Sequence, residues 1–270
     1  MDFFQFGNLK VLATSSVITP NCQVREAVVV DGYVLVNKQK IYPAMGSATK
    51  MAPSVAFNEN GSLQRVLIDR EQNLKIGAAL YQLALGADGL GELQFDQDGN
   101  LTQAMVRNID TIINGQHVMA EAGIVFFAAD GSVIGVSSRE NGFATVIDGI
   151  SFEKIWRLDT LENNGLRLWV PHDILLSTPQ ADLRLAGLFF FSAEKTLQEA
   201  SLSQPTVLKL EQQTCLAAAT GIQFYRHHLI RQFVAANACD LTMASGESQQ
   251  VQANDIVVVD ENGRVIQTSR

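Results

Sequence analysis

Apolar and polar residues alternate along much of this chain, and the alternation keeps stopping at the same kind of turn. Val55 and Phe57, Leu93 and Phe95, Phe189 and Phe191, and Ile222 and Phe224 each share one face of an extended backbone. Three of these pairs or their equivalents run straight into one phrase: Phe57-Asn-Glu-Asn-Gly61-Ser-Leu63, Phe95-Asp-Gln-Asp-Gly99-Asn-Leu101 and Phe127-Ala-Ala-Asp-Gly131-Ser-Val133. Asn-Gly or Asp-Gly between apolar runs predicts a β-hairpin, because both residue types tolerate positive φ.

With the aromatic at position 0, the phrase has glycine at +4 and apolar or small residues at +6 and +9. Looser copies are Phe191/Lys195/Leu197/Ala200 and Phe224/His228/Ile230/Phe233, which lose the glycine. Val259/Gly263/Val265 loses the aromatic, Val28/Gly32/Val34 reads as an early copy, and Leu161/Gly165 as a poor one with Arg167 in an apolar slot. The starts 28, 57, 95, 127, 161, 191, 224 and 259 lie 29 to 38 residues apart. Positions +6 and +9 differ in parity, which predicts a β-bulge between them rather than a strict pleat. Glycines at 91, 123, 187 and 221 open the strand before the turn.

Between these phrases, Ile109–Gly115, Thr145–Ile150 and Asp173–Leu176 read as further short strands. Leu74–Leu85 fits a helix or a strand, with Gly77 inside it, and Leu216–Ala219 is similarly ambiguous. The expected fold is all-β: repeated antiparallel hairpins in an elongated, curved sheet array, with a β-propeller as the alternative. Residues 1–27 would supply a first strand or cap, and 28–270 about eight units of ~33 residues in one continuous domain. Units of this length fall short of a usual propeller blade.

The recurring phrases resemble the MORN family (membrane occupation and recognition nexus) in its looser bacterial form. They are also similar to the aromatic-Asp-x-x-Gly repeats of large secreted toxin shells. Either resemblance implies an extended β-sheet that presents a binding face, and brings no catalytic residues with it.

Composition narrows the class. Apolar residues make up 47% and charged residues 18% of 270, which is a folded globular chain. A formal net charge of -8 disfavours nucleic acid and anionic membrane surfaces as partners. No apolar run approaches a spanning helix, and the N-terminus lacks a basic region, so a cytoplasmic location is expected, with periplasmic or secreted as alternatives if a leader has been removed. Two glycosylation sequons, at Asn60 and Asn100, mean little without a secretory signal.

No cofactor or metal is expected. Cys22, Cys215 and Cys239 form no C-x-x-C pair and read as buried thiols, Cys215 and Cys239 pairing only if neighbouring repeats align them. His227-His228 falls in a degenerate turn without closely spaced ligands nearby, and His117 and His172 are isolated. Asp96-Gln-Asp98-Gly99 echoes a calcium loop, but Arg107 stands where the bidentate Glu belongs. Ser151-Phe-Glu-Lys154 matches S-x-x-K without companion motifs.

The most organised candidate is the aromatic row Phe57, Phe95, Phe127, Phe191 and Phe224, read either as a buried ladder or as an exposed stripe gripping a protein or a carbohydrate. The functional expectation is a non-enzymatic protein-interaction or scaffold module. The alternatives are a carbohydrate-binding repeat protein, or a hydrolase-like enzyme sited in 140–180 around Asp148, Glu153, Trp156, Asp159, His172 and Asp173; Glu162, a further acid of this stretch, reads with its neighbours as solvated loop. The enzyme reading requires those groups to converge in one pocket.

Overall fold

The computed structural model describes residues 3–12, 17–18, 23–46, 53–138 and 140–269. Among them the chain is all-β and antiparallel; the only helical element is a single 3-10 turn, Arg226–His228. Backbone contacts group the chain into two compact units, 1–141 and 142–270, and each is described by itself.

In each unit four hairpins, here called major hairpins, pair edge to edge as eight successive antiparallel strands of one sheet; in the first unit Ala79–Leu83 also pairs with Leu101–Ile113. In the first unit these are Val17–Ile18/Val24–Ala27, Val55–Phe57/Leu63–Ile68, Gly91–Phe95/Leu101–Ile113 and Gln116–Phe127/Val133–Ser137. In the second they are Arg157–Thr160/Leu166–Ser177, Asp182–Phe191/Leu197–Leu202, Gly221–Phe224/Ile230–Val234 and Ile256–Val259/Val265–Ser269. A ladder that continues through four successive hairpins is not a set of separate four-stranded propeller blades.

The turn phrase sets the register of these hairpins. Position 0 faces +6, as in Phe57↔Leu63, Phe95↔Leu101, Phe127↔Val133, Phe191↔Leu197, Phe224↔Ile230 and Val259↔Val265. The residue before position 0 then faces +8, because +7 is extruded as a bulge. The bulge restores parity, so +6 and +9 both turn inward, as the mismatch in the sequence requires. Leu101 and Ala104, for example, are both buried.

Two expected copies start elsewhere. The first bulged hairpin pairs Ile18 with Val24, so the first copy begins at Ile18 rather than Val28. Gly32 is instead packed against the Gly7-Asn8 turn: a Cβ there would lie 2.0 Å from the Asn8 carbonyl oxygen. The copy read from Leu161 begins at Thr160, which faces Leu166. It has no bulge, so Leu166 and Leu168 point inward by simple alternation and Arg167 points out.

Between major hairpins the chain forms smaller ones. In the first unit these are Val34–Val36/Gln39–Ile41, Gln72–Ile76/Ala79–Leu83 and the distal ends of the long strands, where Ile109–Ile113 faces Gln116–Ala120. Leu74–Leu85 is therefore strand and turn, with Gly77 at φ +58 in the turn. An N-terminal hairpin, Phe3–Phe6/Leu9–Leu12, pairs with Val29–Gly32. The second unit has Phe143–Ile147/Ile150–Ile155, the distal pairing of Ile174–Ser177 with Asp182–Leu185, Thr206–Lys209/Thr214–Ala217 and Cys239–Thr242/Ser248–Val251. Leu216 and Ala217 accordingly lie in a strand.

The core of each unit lies between the major sheet and the minor hairpins. Phe152 of a minor hairpin meets Phe189 and Phe191 edge to face, at 5.2 and 6.1 Å between ring centres. Tyr81 does the same to Phe127 at 5.4 Å. Layered β packing of this kind excludes water from both inner faces. Gly91 shows how tight it is, since a Cβ there would sit 2.1 Å from the Ala84 carbonyl oxygen.

Glutamines tie neighbouring minor hairpins together where the backbone ladders do not continue. The Gln39 carboxamide donates to the Lys75 carbonyl at 2.7 Å and accepts from the Lys75 amide at 2.9 Å. Gln72 does this to Tyr42, and Gln213 to Thr242. A carboxamide has one donor and one acceptor at the spacing of a peptide group, so it stands in for a strand residue.

Candidate functional surface

The minor hairpins owe their shape to tight turns. Asn37-Lys38, Asn114-Gly115 and Asp148-Gly149 all have positive φ at both positions, which matches the twist of a two-residue hairpin. Such a turn holds the flanking strands in strict alternation. Val34, Val36 and Ile41 therefore face the core, as do Leu74 and Ile76, and Ile113 and Val118.

The opposite faces of these hairpins carry a repeated arrangement. In the first unit, an exposed aliphatic stands directly across from a basic side chain in each of three minor hairpins: Leu35 opposite Lys40, Leu80 opposite Lys75, and Ile112 opposite His117. The three aliphatics are 53%, 67% and 66% exposed. In the second unit, Val146 lies opposite Ser151, Leu175 opposite Arg184, and Val207 opposite Leu216, with the first of each pair again exposed. A single exposed leucine is ordinary. The exposed aliphatics all lie two or three residues from a turn, Leu80 on the strand after it and the others on the strand before it, and the core does not require them because the inner face of each hairpin already supplies it. The sequence signal at five of these hairpins is an apolar doublet close before the turn: Leu35-Val36, Ile112-Ile113, Val146-Ile147, Leu175-Leu176 and Val207-Leu208. One member of each doublet is core and the other is surface.

The outer face of the major sheets is different in kind. Cross-strand neighbours run Arg65, Gln94, Gln103 and Phe126 in the first unit, all half-buried. In the second, Asp159, Arg167, Phe190, Glu199, Gln223 and Gln232 form the corresponding row. Much of this row's hydrogen bonding is internal. Asp159 receives the guanidinium groups of Arg157 and Arg167 at 2.9 and 2.8 Å, and Gln223 donates to Glu199 at 3.2 Å.

The aromatic row lies in the core. Phe57, Phe95, Phe127, Phe191 and Phe224 are only 2–7% exposed, so a partner on the surface does not reach these rings. Three of them meet another ring edge to face: Phe57 meets the half-buried Phe6 at 4.9 Å, and Phe127 and Phe191 meet Tyr81 and Phe152. Position 0 faces inward because it pairs with the apolar +6 across the turn.

The mid-chain acids do not converge. Asp148, at the tip of a minor turn, accepts from the Leu197 amide at 2.8 Å and contacts His228 Nε2 at 2.9 Å. Asp159 serves its two arginines, and Asp173 faces Arg184 at 3.9 Å. Glu153 and Glu162 are exposed and His172 is half-buried. Trp156 Nε1 is buried with no acceptor. Ser151 and Lys154 lie on a strand, not on one turn of a helix. His228 occupies the glycine slot of its turn at φ +58 and joins Asp148 to it, while Cys215 contacts Cys239. Among the described residues no three His, Cys, Asp or Glu side chains gather as a metal site would need.

Asp96 caps its own turn. Its Oδ1 accepts the amides of Asp98 and Asn100 at 2.9 and 2.8 Å, and its Oδ2 the Asn100 side chain at 3.0 Å. Those bonds, from the Asn100 side chain first and its backbone next, hold the carboxyl below its ordinary range. Asp130 is held low in the same way by the Ser132 hydroxyl and amide. Adjacent major turns also stack, Asn58 donating to the Asp96 carbonyl at 3.0 Å and Asn60 to the Gln97 carbonyl at 2.6 Å.

No helix among the described residues is long and apolar enough to cross a membrane. Comparison of the chain with protein-family models and with curated proteins gives no match.

Proposed function

We propose that this protein is a non-enzymatic interaction module, and that the outer faces of its minor hairpins are where a partner protein docks. One observation carries the reading: an exposed aliphatic recurs at the second residue from the turn of each minor hairpin of the first unit, across from Lys40, Lys75 and His117. Such a surface suits a partner that offers aliphatic side chains flanked by carboxylates. The aliphatic contacts supply affinity, and Lys40 and Lys75 set register and approach, His117 being engaged with Asp110 at 2.6 Å. Separation of the mid-chain acids among different partners supports this reading over the enzyme alternative, since a catalytic site needs its groups together. The hairpin repeat itself supports a MORN-like scaffold.

The test is a triple variant, Leu35→Thr, Leu80→Thr and Ile112→Thr. All three sites are exposed, so the melting temperature is expected to stay within about 2 °C of the parent. Proteins captured from an extract of the source cells by the parent, and equally by a Gln94→Ser/Gln103→Ser control, are expected to be lost from the triple variant. Equal capture by all three forms would overturn the assignment.

A further inference from the structure

Cys215 and Cys239 belong to two different minor hairpins of the second unit, Thr206–Lys209/Thr214–Ala217 and Cys239–Thr242/Ser248–Val251. Both are free thiols, and their sulfurs are 3.5 Å apart. Main-chain and side-chain bonds hold this alignment. Gln213 pairs with both backbone groups of Thr242, and the Ala236 amide donates to the Leu216 carbonyl at 2.8 Å. An isolated bridge joins Ala217 to Ala235. Cys215 points into the core and Cys239 is half-buried. The two hairpins form separate two-stranded sheets.

We propose that Cys215 and Cys239 are an oxidisable dithiol that closes to an intramolecular disulfide linking these two hairpins. The inference stands apart from the docking surface and does not rest on it. Sulfurs at 3.5 Å are in contact but unbonded, and a disulfide needs about 2.05 Å.

The oxidant is a small disulfide such as oxidised glutathione. The Cys239 thiolate, the more accessible of the two, attacks one sulfur of that disulfide. The S–S bond breaks, and the first glutathione leaves as a thiolate. Cys215 then gives its proton to solvent and attacks the Cys239 sulfur. This forms the Cys215–Cys239 bond and expels the second glutathione as a thiolate. The protein loses two protons, one from each thiol, and two electrons; the two expelled thiolates take up protons, so one oxidised glutathione becomes two reduced. Burial, reinforced by Cys239, pushes the Cys215 thiol up to about 12, so the closing step is the slow one and quickens as pH rises.

The experiment uses the full chain with Cys22→Ser, treated with oxidised glutathione and then unfolded and alkylated. The expected result is a monomer lighter by two hydrogens, with neither cysteine alkylated. Its melting temperature should rise by about 5–10 °C, reversibly on reduction, because the bond closes a loop between residues 24 apart in sequence. Cys239→Ser, and Cys215→Ala in place of the more disruptive buried serine, should show no such rise. Two alkylated cysteines after oxidation, a mixed disulfide that stops at Cys239, or a disulfide-linked dimer would each overturn the proposal.

Discussion

At the scale of the residue, the major turns reveal what their glycine is for. Gly61, Gly99, Gly131 and Gly263 hold φ between +78 and +84 at one position of the turn. Where glycine is missing, the backbone does not relax: Asn164, Lys195 and His228 stay at φ +60, +62 and +58. A lysine in that conformation is strained, whereas glycine is not. Lys195→Gly is therefore expected to stabilise the protein by about 0.5–1 kcal/mol, and Gly99→Ala to destabilise it by about 1 kcal/mol, read from urea midpoints. The carboxylates of these turns have a pH signature. Asp96 and Asp130 are held below their ordinary range in the folded state. Their contribution is complete above the ordinary carboxylate pKa of about 4 and disappears as pH falls through the lower folded value. Asp96→Asn/Asp130→Asn should thus show a shallower loss of stability than the parent between about pH 4 and pH 2, measured by denaturant midpoints along a pH series. At Asp96 the signal in the sequence was ambiguous between a turn and a cation loop. The geometry resolves it, since both carboxylate oxygens are spent on Asp98 and Asn100.

At the scale of the element, two kinds of hairpin alternate, and they differ in how they meet their neighbours. Major hairpins join edge to edge through backbone pairs, as Glu26 and Ala27 pair with Ala56 and Val55, and Gly91–Gln94 with Arg65–Ile68. Several minor hairpins remain two-stranded and are bridged by glutamine side chains. Each such bridge replaces two ladder hydrogen bonds, worth together about 1–3 kcal/mol. Gln39→Ala is expected to weaken the protein by no more than that, and to do so locally. Hydrogen exchange at the Lys75 amide, which loses its acceptor, should accelerate at least tenfold while core amides such as Val106 are unaffected. Most of the major hairpins were readable in the sequence, because turn residues and flanking alternation sit within ten adjacent positions. The bulge was readable too, from the parity of +6 and +9. The copies at Ile18 and Thr160 were not: one lacks both the aromatic and the glycine, and the other puts Asn164 in the left-handed slot, one residue before the visible Gly165.

At the scale of the whole molecule, the same hairpin unit recurs through both compact units, with starts 31 to 39 residues apart once Ile18 and Thr160 replace Val28 and Leu161. Repetition makes equivalent surface positions meaningful, and it turns scattered leucines such as Leu35 and Leu80 into a recurring site. On the proposed docking surface Lys40 and Lys75 stand out against a chain whose net charge is -8. The sequence by itself determined the strand class, most of the turns, the bulge and the repeat, because each depends on backbone preferences of neighbouring residues. Tertiary structure alone decided which face of each strand is covered. Phe95 and Leu35 are both apolar residues in alternating strands, yet one ring is buried in the core and the other side chain is left in water. It also decided the long-range meetings, His228 with Asp148 across 80 residues and Cys215 with Cys239 across 24. Such contacts depend on how whole hairpins stack, and no local pattern of residue types carries that information.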